Sequence, residues 1–155
     1  TMVVRHSLDH LRDATIADVG GVLALIAPLE ADGSLVKRGR ELLEMEIDRF
    51  SVAEHDGMIV GCAALYPYPH AKAAEMACLA VHPDYRDSGH GTHLLGVIEA
   101  KARSRGFERL FVLTTRAAHW FIEHGFSEAH VDALPAAKQA MYNWQRRSKV
   151  LFKAL

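Results

Sequence analysis

The chain has 155 residues, half of them hydrophobic, and a formal net charge of −1. That suffices for one globular domain with a sizeable core, and the near-neutral balance argues against bulk binding to nucleic acid or anionic membrane. No apolar run approaches transmembrane length and no signal-peptide pattern is seen, so a cytoplasmic protein is expected.

In chain order, Leu11 to Ala14 reads as a short strand. Thr15-x-x-Asp18 marks a helix start, after which Val19, Val22, Leu23 and Ile26 recur at helical spacing up to a stop near Gly33. Arg40 to Arg49 predicts a second helix, with Leu42, Leu43, Met45 and Ile47 among acids. Phe50–Glu54 and Met58–Tyr66 flank Asp56-Gly57, a hairpin signal. A strand over Glu75–Val81 leads through a glycine-containing loop into a helix reaching about Arg105, ended by Gly106. Then come a strand over Arg109–Thr115, a helix over Ala117–His124 with a stop at Gly125-Phe126, and a closing strand pair, Phe126–Val131 and Ser148–Leu155, around an insertion. Such an order predicts an α/β (α+β) mixed sheet with helices on both faces.

The loop after the Glu75–Val81 strand carries the chemistry. Val81-His82-Pro83-Asp84-Tyr85-Arg86-Asp87-Ser88-Gly89-His90-Gly91-Thr92 joins a strand to a helix N-terminus. There, backbone N–H groups and the helix dipole favour an anion, and glycine permits close backbone approach. The dinucleotide fingerprint fails because Leu94 stands at its third glycine; the P-loop fails because Thr92-His93 follows Gly91. A glycine-rich turn with no ligand is the plain alternative.

Arg86-x-x-Gly89-x-Gly91 after Val81-His82-Pro83 resembles the pyrophosphate loop of the GNAT superfamily of acetyl-CoA-dependent N-acetyltransferases. Ala118-His119-Trp120-Phe121-Ile122-Glu123-His124-Gly125-Phe126 resembles that superfamily's second signature. The resemblance implies a GNAT fold: a mostly antiparallel sheet with one splayed parallel pair. It sharpens over Leu35-Val36-Lys37-Arg38, Ala63-Ala64-Leu65-Tyr66-Pro67, Glu75 to Pro83, Leu113-Thr114-Thr115-Arg116 and Tyr142 to Lys149. Together these look like the acetyltransferase domain of bacterial N-acetylglutamate synthases.

That likeness implies acetyl transfer from acetyl-CoA to L-glutamate, the first step of arginine biosynthesis, with acetyl-CoA as co-substrate and no metal. It implies a single acetyltransferase domain over residues 1–155. Thr1 ahead of Met2 fits a tag remnant on a short protein or a piece cut from a longer one. The long bacterial form carries an N-terminal amino-acid-kinase-like domain that binds arginine, and the family often assembles through that domain, which leaves both a monomer and a homo-oligomer open for this chain.

Roles follow by resemblance. Arg86, Asp87, Ser88, Gly89, His90, Gly91 and Thr92 hold the pyrophosphate. Leu79, Ala80 and Val81 pair with the pantetheine arm, and the backbone N–H near Leu79 polarises the acetyl carbonyl. Lys37, Cys78, Arg146 and Ser148 contact the substrate. Many relatives have arginine at the position of Lys37; lysine keeps the charge and loses the fork. Lys138 and Arg116 are reserves, and a solvated side chain is the better reading of Lys138. From Pro135 onward there is no acid, while Lys138, Arg146, Arg147, Lys149 and Lys153 supply positive charge, which suits a small anionic ligand or a solvated basic face.

Glu75 is the expected general base: an apolar setting makes a carboxylate a better proton acceptor. A solvent-facing strand-end glutamate is its alternative. The general acid stays open, because Phe121 stands where many GNAT enzymes have tyrosine. The thiolate leaves unaided, or Tyr142, Thr114 or Thr115 supplies the proton.

Other constellations are weaker. His82, His90 and His93 lack a completing ligand set for a metal. Cys62 and Cys78 read as buried small hydrophobes in a reducing compartment, with no evident activating environment. Trp120 and Trp144 read as packing aromatics. Rival functions are acetylation of another amine (a peptide, a lysine or a small molecule) and a non-catalytic CoA-sensing domain.

Overall fold

The computed structural model describes residues 11–155. The chain runs through β1 (Leu11–Asp13), α1 (Val19–Ala31), α2 (Arg40–Glu46), β2 (Phe50–His55), β3 (Met58–Tyr68), β4 (Ala73–Val81), α3 (His90–Ser104), β5 (Arg109–Thr114), α4 (Ala118–Glu123), β6 (Ser127–Ala129), α5 (Ala136–Gln139) and β7 (Lys149–Ala154). The seven strands form one sheet in the order β1-β2-β3-β4-β5-β7-β6. It is mostly antiparallel, with β4 and β5 parallel. That parallel register runs from Ala73↔Arg109 to Glu75↔Phe111, while β4 itself continues to Val81. Among the described residues no helix is long and apolar enough to cross a membrane.

Two compact units divide the chain. Among the described residues, one holds 11–65 together with Cys78–Ile98; the other holds Tyr66–Ala77 and Glu99–Leu155. In the first, α1 buries Val19, Val22, Leu25 and Ile26, one stripe at helical spacing, and α2 with its following turn buries Leu43 and Ile47. Leu42 and Met45 point outward. Hairpin β2–β3 turns at Asp56 and Gly57, both at positive φ (49° and 80°), as a tight two-residue turn demands. Gly61 on β3 lies under Leu94 of α3: a Cβ there would sit 2.9 Å from the leucine methyl, so a larger residue would require that side chain to shift.

In the second unit, β5 is the spine, paired to β7 along its full length from Arg109↔Ala154 to Thr114↔Lys149. Buried Ala73, Phe111, Leu134 and Val150 cluster here, with Tyr68, Leu113, Tyr142 and Phe152 packed against them. Lys153 on β7 donates to Glu99 Oε2 at 2.6 Å and to the His124 carbonyl at 2.8 Å, bracing β7 against α3 and the end of α4.

Boundaries differ from the sequence reading where tertiary contacts decide them. The Thr15–Asp18 capping box forms, but it closes a 3-10 turn, Ile16–Asp18, ahead of α1. The predicted Arg40–Arg49 helix tightens to a 3-10 turn over its last three residues, Ile47–Arg49. β4 begins two residues before Glu75, because Ala73 and Ala74 are buried and paired to β5. The closing strand β6 is only Ser127–Ala129.

Arg12 ties β1 to the first turn and to β2. Its guanidinium donates to both oxygens of Asp18 (2.7 and 2.9 Å) and to Glu54 Oε1 (2.8 Å). The Asp18 carboxyl is drawn from 3.8 to about 2, first by the hydrogen bonds from Arg12 and then by the Thr15 N–H, against the opposing effect of burial. A depressed folded-state value stabilises the fold above the unfolded value, and that stabilisation disappears as pH falls from about 4 through about 2. Asp18→Asn should therefore lower stability at pH 7 by about 1 kcal/mol, allowing for solvent screening around a half-exposed arginine. Urea melts of both proteins should converge near pH 2; a constant gap would rule out the ion pair as its source.

Candidate functional site

The loop after β4 is a 3-10 turn, Pro83–Ser88, that braces itself before the helix begins. His82 N–H donates to the Val60 carbonyl at 2.8 Å, fixing the start of the loop on β3. His82 Nδ1 accepts from the Asp84 N–H at 3.1 Å, and the Tyr85 N–H returns to the His82 carbonyl at 2.8 Å. Ser88 Oγ donates to the Tyr85 carbonyl and also meets His90 Nδ1. The rings of His55, His82 and His90 surround Tyr85 at centroid distances of 5.4, 5.8 and 5.6 Å.

Gly89 then takes φ +87°, a left-handed value that L side chains rarely adopt, and α3 starts at the next residue. An αL residue leading into a helix turns successive N–H groups to one side, and the first turn of a helix leaves its N–H groups without intrahelical acceptors. Arg86, Asp87 and Ser88 are exposed on the turn. This donor set, with the exposed Arg86 guanidinium and the positive end of a fifteen-residue helix, fits a phosphate-bearing ligand. His90 differs from the rest of the loop. Its ring is buried, and its pKa is lowered by desolvation and by the neighbouring His93 and His55, so a ligand would meet its backbone rather than its ring. His93 Nδ1 meets the Gly89 carbonyl at 2.7 Å. The histidines thus act as caps and braces of the loop. Among the described residues no group of three or more His, Cys, Asp or Glu is arranged to hold a metal ion.

On β4, Cys78 and Ala80 are buried while Leu79 and Val81 are half-buried, the alternation of a strand with one open face. Cys78 sits at φ +58° within the strand, a left-handed value that for a non-glycine residue marks local strain. Cys62 Sγ donates to the Cys78 carbonyl at 3.3 Å. The two thiols are free, buried and adjacent. Cys62 is pushed well up by its hydrogen bond to Cys78 and by burial; Cys78 is drawn below the usual thiol value by the Cys62 hydrogen bond, with Arg38 assisting. Both thiols are enclosed, in keeping with the sequence reading of buried small hydrophobes. Lys37 is exposed on the segment between α1 and α2, next to Arg38, whose N–H donates to Glu30 Oε2 at 2.7 Å.

In the second unit, Glu75 is the third residue of β4 and the last in parallel register with β5, opposite Phe111. Its side chain is 8% exposed, and Lys138 Nζ, on a side chain 16% exposed, lies 2.9 Å from its Oε1. The solvent-facing alternative for Glu75 and the solvated reading of Lys138 both fail here. A buried carboxylate needs a cation, and α5 delivers one. The sequence held a signal for this: a glutamate within an apolar strand requires a partner, and the stretch after Pro135 offers bases with no acid beside them in the chain.

Arg146 is half-buried, its N–H bonded to the Asn143 carbonyl at 3.2 Å. Ser148 follows Arg147, itself at φ +53°. Its carbonyl accepts the Tyr142 hydroxyl at 2.7 Å, and it lines a shallow cavity with Glu128, His130 and Lys149. Of the three hydroxyls considered as proton donors, Tyr142 is therefore engaged with Ser148. Thr114 Oγ1 accepts from the Ala117 N–H at 2.9 Å and keeps its own proton for donation, and Thr115 Oγ1 is buried with no hydrogen-bond partner among the described residues. Phe121 packs edge-to-face against Trp120 and Phe126. Arg116 is exposed ahead of α4. Trp120 packs as expected, stacked on His124 at 3.9 Å, but Trp144 is 69% exposed and meets Tyr142 only by its edge.

Residues 24–126 match the pattern of the acetyltransferase (GNAT) family. The chain is 57% identical over 155 residues to an amino-acid acetyltransferase of Serratia proteamaculans, covering 100% of this chain and 35% of that protein. With its counterpart in Ralstonia nicotianae it is 59% identical, covering 100% and 34%. The chain thus spans about a third of the length of the curated relatives it matches. Among solved structures, N-acetylglutamate synthase from Neisseria gonorrhoeae, complexed with coenzyme A and N-acetyl-glutamate, superposes with a TM-score of 0.91 at 44% identity, covering 94% of this chain and 34% of that one.

The left-handed glycine and the open helical one predict opposite responses to alanine. Gly89→Ala should destabilise the protein by about 1–2 kcal/mol, the cost of an αL residue with a Cβ. Gly96 is exposed within α3, and a methyl added there would meet nothing within 4 Å, so alanine should stabilise the protein by about 0.5–1 kcal/mol. Chemical-denaturation midpoints of the two variants check both signs; equal responses would remove the conformational demand at Gly89.

Proposed function

The chain belongs to the acetyltransferase (GNAT) family, and from that premise we propose that it transfers the acetyl group of acetyl-CoA to the α-amino group of L-glutamate, releasing CoA. The observation that carries this reading is whole-chain similarity to amino-acid acetyltransferases, 57% and 59% identical over 155 residues. The N-acetyl-glutamate bound to the gonococcal protein supports glutamate as the acceptor. We read the 155 residues as the acetyl-transfer domain of such an enzyme.

Acetyl-CoA supplies the acyl donor as a thioester with a pyrophosphate-bearing tail. The turn from Arg86 to Thr92 is suited to that pyrophosphate: backbone N–H groups at Gly89 and the α3 start serve as donors, and Arg86 adds charge. The half-buried Leu79 and Val81 lie on the part of β4 beyond its parallel register with β5, which suits backbone pairing with the pantetheine arm. An N–H near Leu79 would then draw charge from the acetyl carbonyl oxygen.

Glu75 takes the proton that the α-amine must lose, directly or through water, as the C–N bond forms and the C–S bond breaks. Lys37, Arg146 and Ser148 are the proposed carboxylate contacts, with Cys78 contributing from β4. Thr114, with a hydroxyl proton to give, and Thr115 stay open as donors to the departing sulfur, beside a thiolate that leaves unaided.

The test is thiol release from acetyl-CoA in the presence of glutamate, aspartate, glutamine, ornithine, lysine or a peptide amine. Turnover with glutamate far above the rest is expected; preference for a different amine would sink the substrate assignment and leave the family intact. Acetyl-CoA binding without turnover on any amine would favour the sensing alternative. Glu75→Gln should lower kcat by about 10²- to 10⁴-fold, the range a positioned base supplies. Arg146→Ala and Lys37→Ala should each raise KM for glutamate by about tenfold or more, as expected for a charged hydrogen bond lost, with KM for acetyl-CoA little changed.

A further inference from the structure

We infer that Lys138 is a positioning residue for the proposed base: its ammonium fixes the Glu75 carboxylate through Oε1 and keeps it charged in its buried place on β4. This rests on the reading of Glu75 as the group that takes the amine proton.

The argument begins with the surroundings of Glu75. Ala73, Ala74 and Met76 around it on β4 are buried, and its backbone is held opposite Phe111. A carboxylate in such a setting is stable in its charged form only with a close cation. Lys138 provides that charge at 2.9 Å from a side chain that is itself largely enclosed. By contrast, Lys149–Glu128 and Lys72–Glu108 join side chains that are all more than half exposed, ordinary surface pairs of little consequence. Lys153–Glu99 is also enclosed, yet its ammonium is shared with the His124 carbonyl and serves to join elements.

The chain spends structure on placing Lys138. Its own N–H bonds to the Pro135 carbonyl at 2.9 Å, and Gln139 Nε2 reaches back to the Leu134 and Asp132 carbonyls at 2.8 and 3.1 Å. Leu134 is buried in the cluster that also contains Ala73, two residues before the base, and Phe111, opposite it. So the same small segment anchors next to Glu75 through leucine and reaches it through lysine.

In the proton step the amine N–H bond breaks and a Glu75 O–H bond forms. Lys138 takes no part in that transfer and acts only through its charge and its hold on Oε1. A lysine that instead bound the substrate carboxylate would affect glutamate binding and would not depend on Glu75.

Those two roles separate experimentally. Lys138→Met should lower kcat for glutamate about tenfold to a hundredfold, part of what a general base contributes, while KM for glutamate and acetyl-CoA stays within about threefold. The acidic limb of kcat/KM should move to higher pH, and Lys138→Arg should recover most of the rate. In a Glu75→Gln background, Lys138→Met should cost nothing further, because its effect passes through the carboxylate. That double variant leaves no unpaired buried charge, so the comparison stands even where Lys138→Met alone folds poorly. A raised KM with kcat intact, or a further loss on top of Glu75→Gln, overturns the proposal. Should the wild-type chain fail to acetylate glutamate, the functional reading fails first. The pair is then judged by carbon-13 NMR titration of the Glu75 carboxyl, which should move to higher pH in Lys138→Met and overturns the inference if it does not.

Discussion

A glutamate buried on a sheet strand places a demand on the chain that apolar packing cannot meet. Removing a carboxylate from water costs several kcal/mol, a large part of a domain's whole stability, unless a cation and hydrogen bonds compensate it. In the unit that contains Glu75, that demand organises the stretch between β6 and β7. Leu134 docks in the cluster with Phe111 and Val150, α5 brings Lys138 to the carboxylate, and Tyr142 closes the segment onto the Ser148 carbonyl. What the sequence displays as an irregular insertion is a device for delivering one charge and then returning to β7.

The fold was largely legible because its signals are local. Asp56-Gly57 turns the hairpin, Gly106 and Gly125 end their helices at positive φ, and the Thr15–Asp18 box forms as its spacing implies. Ends of elements were less legible, since partners set them. Ala73 and Ala74 join β4 because β5 lies alongside, and nothing in two alanines announces that. The glycine loop was legible as a strand-to-helix turn, and its ligand only through the resemblance that Arg86-x-x-Gly89-x-Gly91 carries. The Glu75–Lys138 pair was legible only as a demand for some cation and not as this lysine, because it joins positions far apart in the chain, and a lone lysine in a basic stretch looks like solvated surface. Trp144 shows the converse: a large aromatic suggests packing, yet its neighbours in the insertion leave it open.

β4 combines two features that a strand normally avoids, a buried charge near its start and a left-handed non-glycine residue, Cys78, near its middle. Each costs energy, and each is held by neighbours: Lys138 for the first, the Cys62 thiol on the Cys78 carbonyl for the second. Strain of this kind persists where a backbone must turn its N–H and C=O groups away from the regular ladder. Residues 79–81, which the proposed reaction needs for pantetheine and the acetyl oxygen, follow immediately.

The turn from Pro83 to Ser88 carries its own network: Tyr85 among three imidazoles, Ser88 on the Tyr85 carbonyl, His90 packed beneath. A loop knitted this way loses its conformational freedom when the chain folds, before any nucleotide arrives. On the proposed reaction, ligand association then involves little ordering of the protein, so affinity would reflect the contacts themselves, and exchange of spent for fresh co-substrate would not wait for a loop to melt and reform.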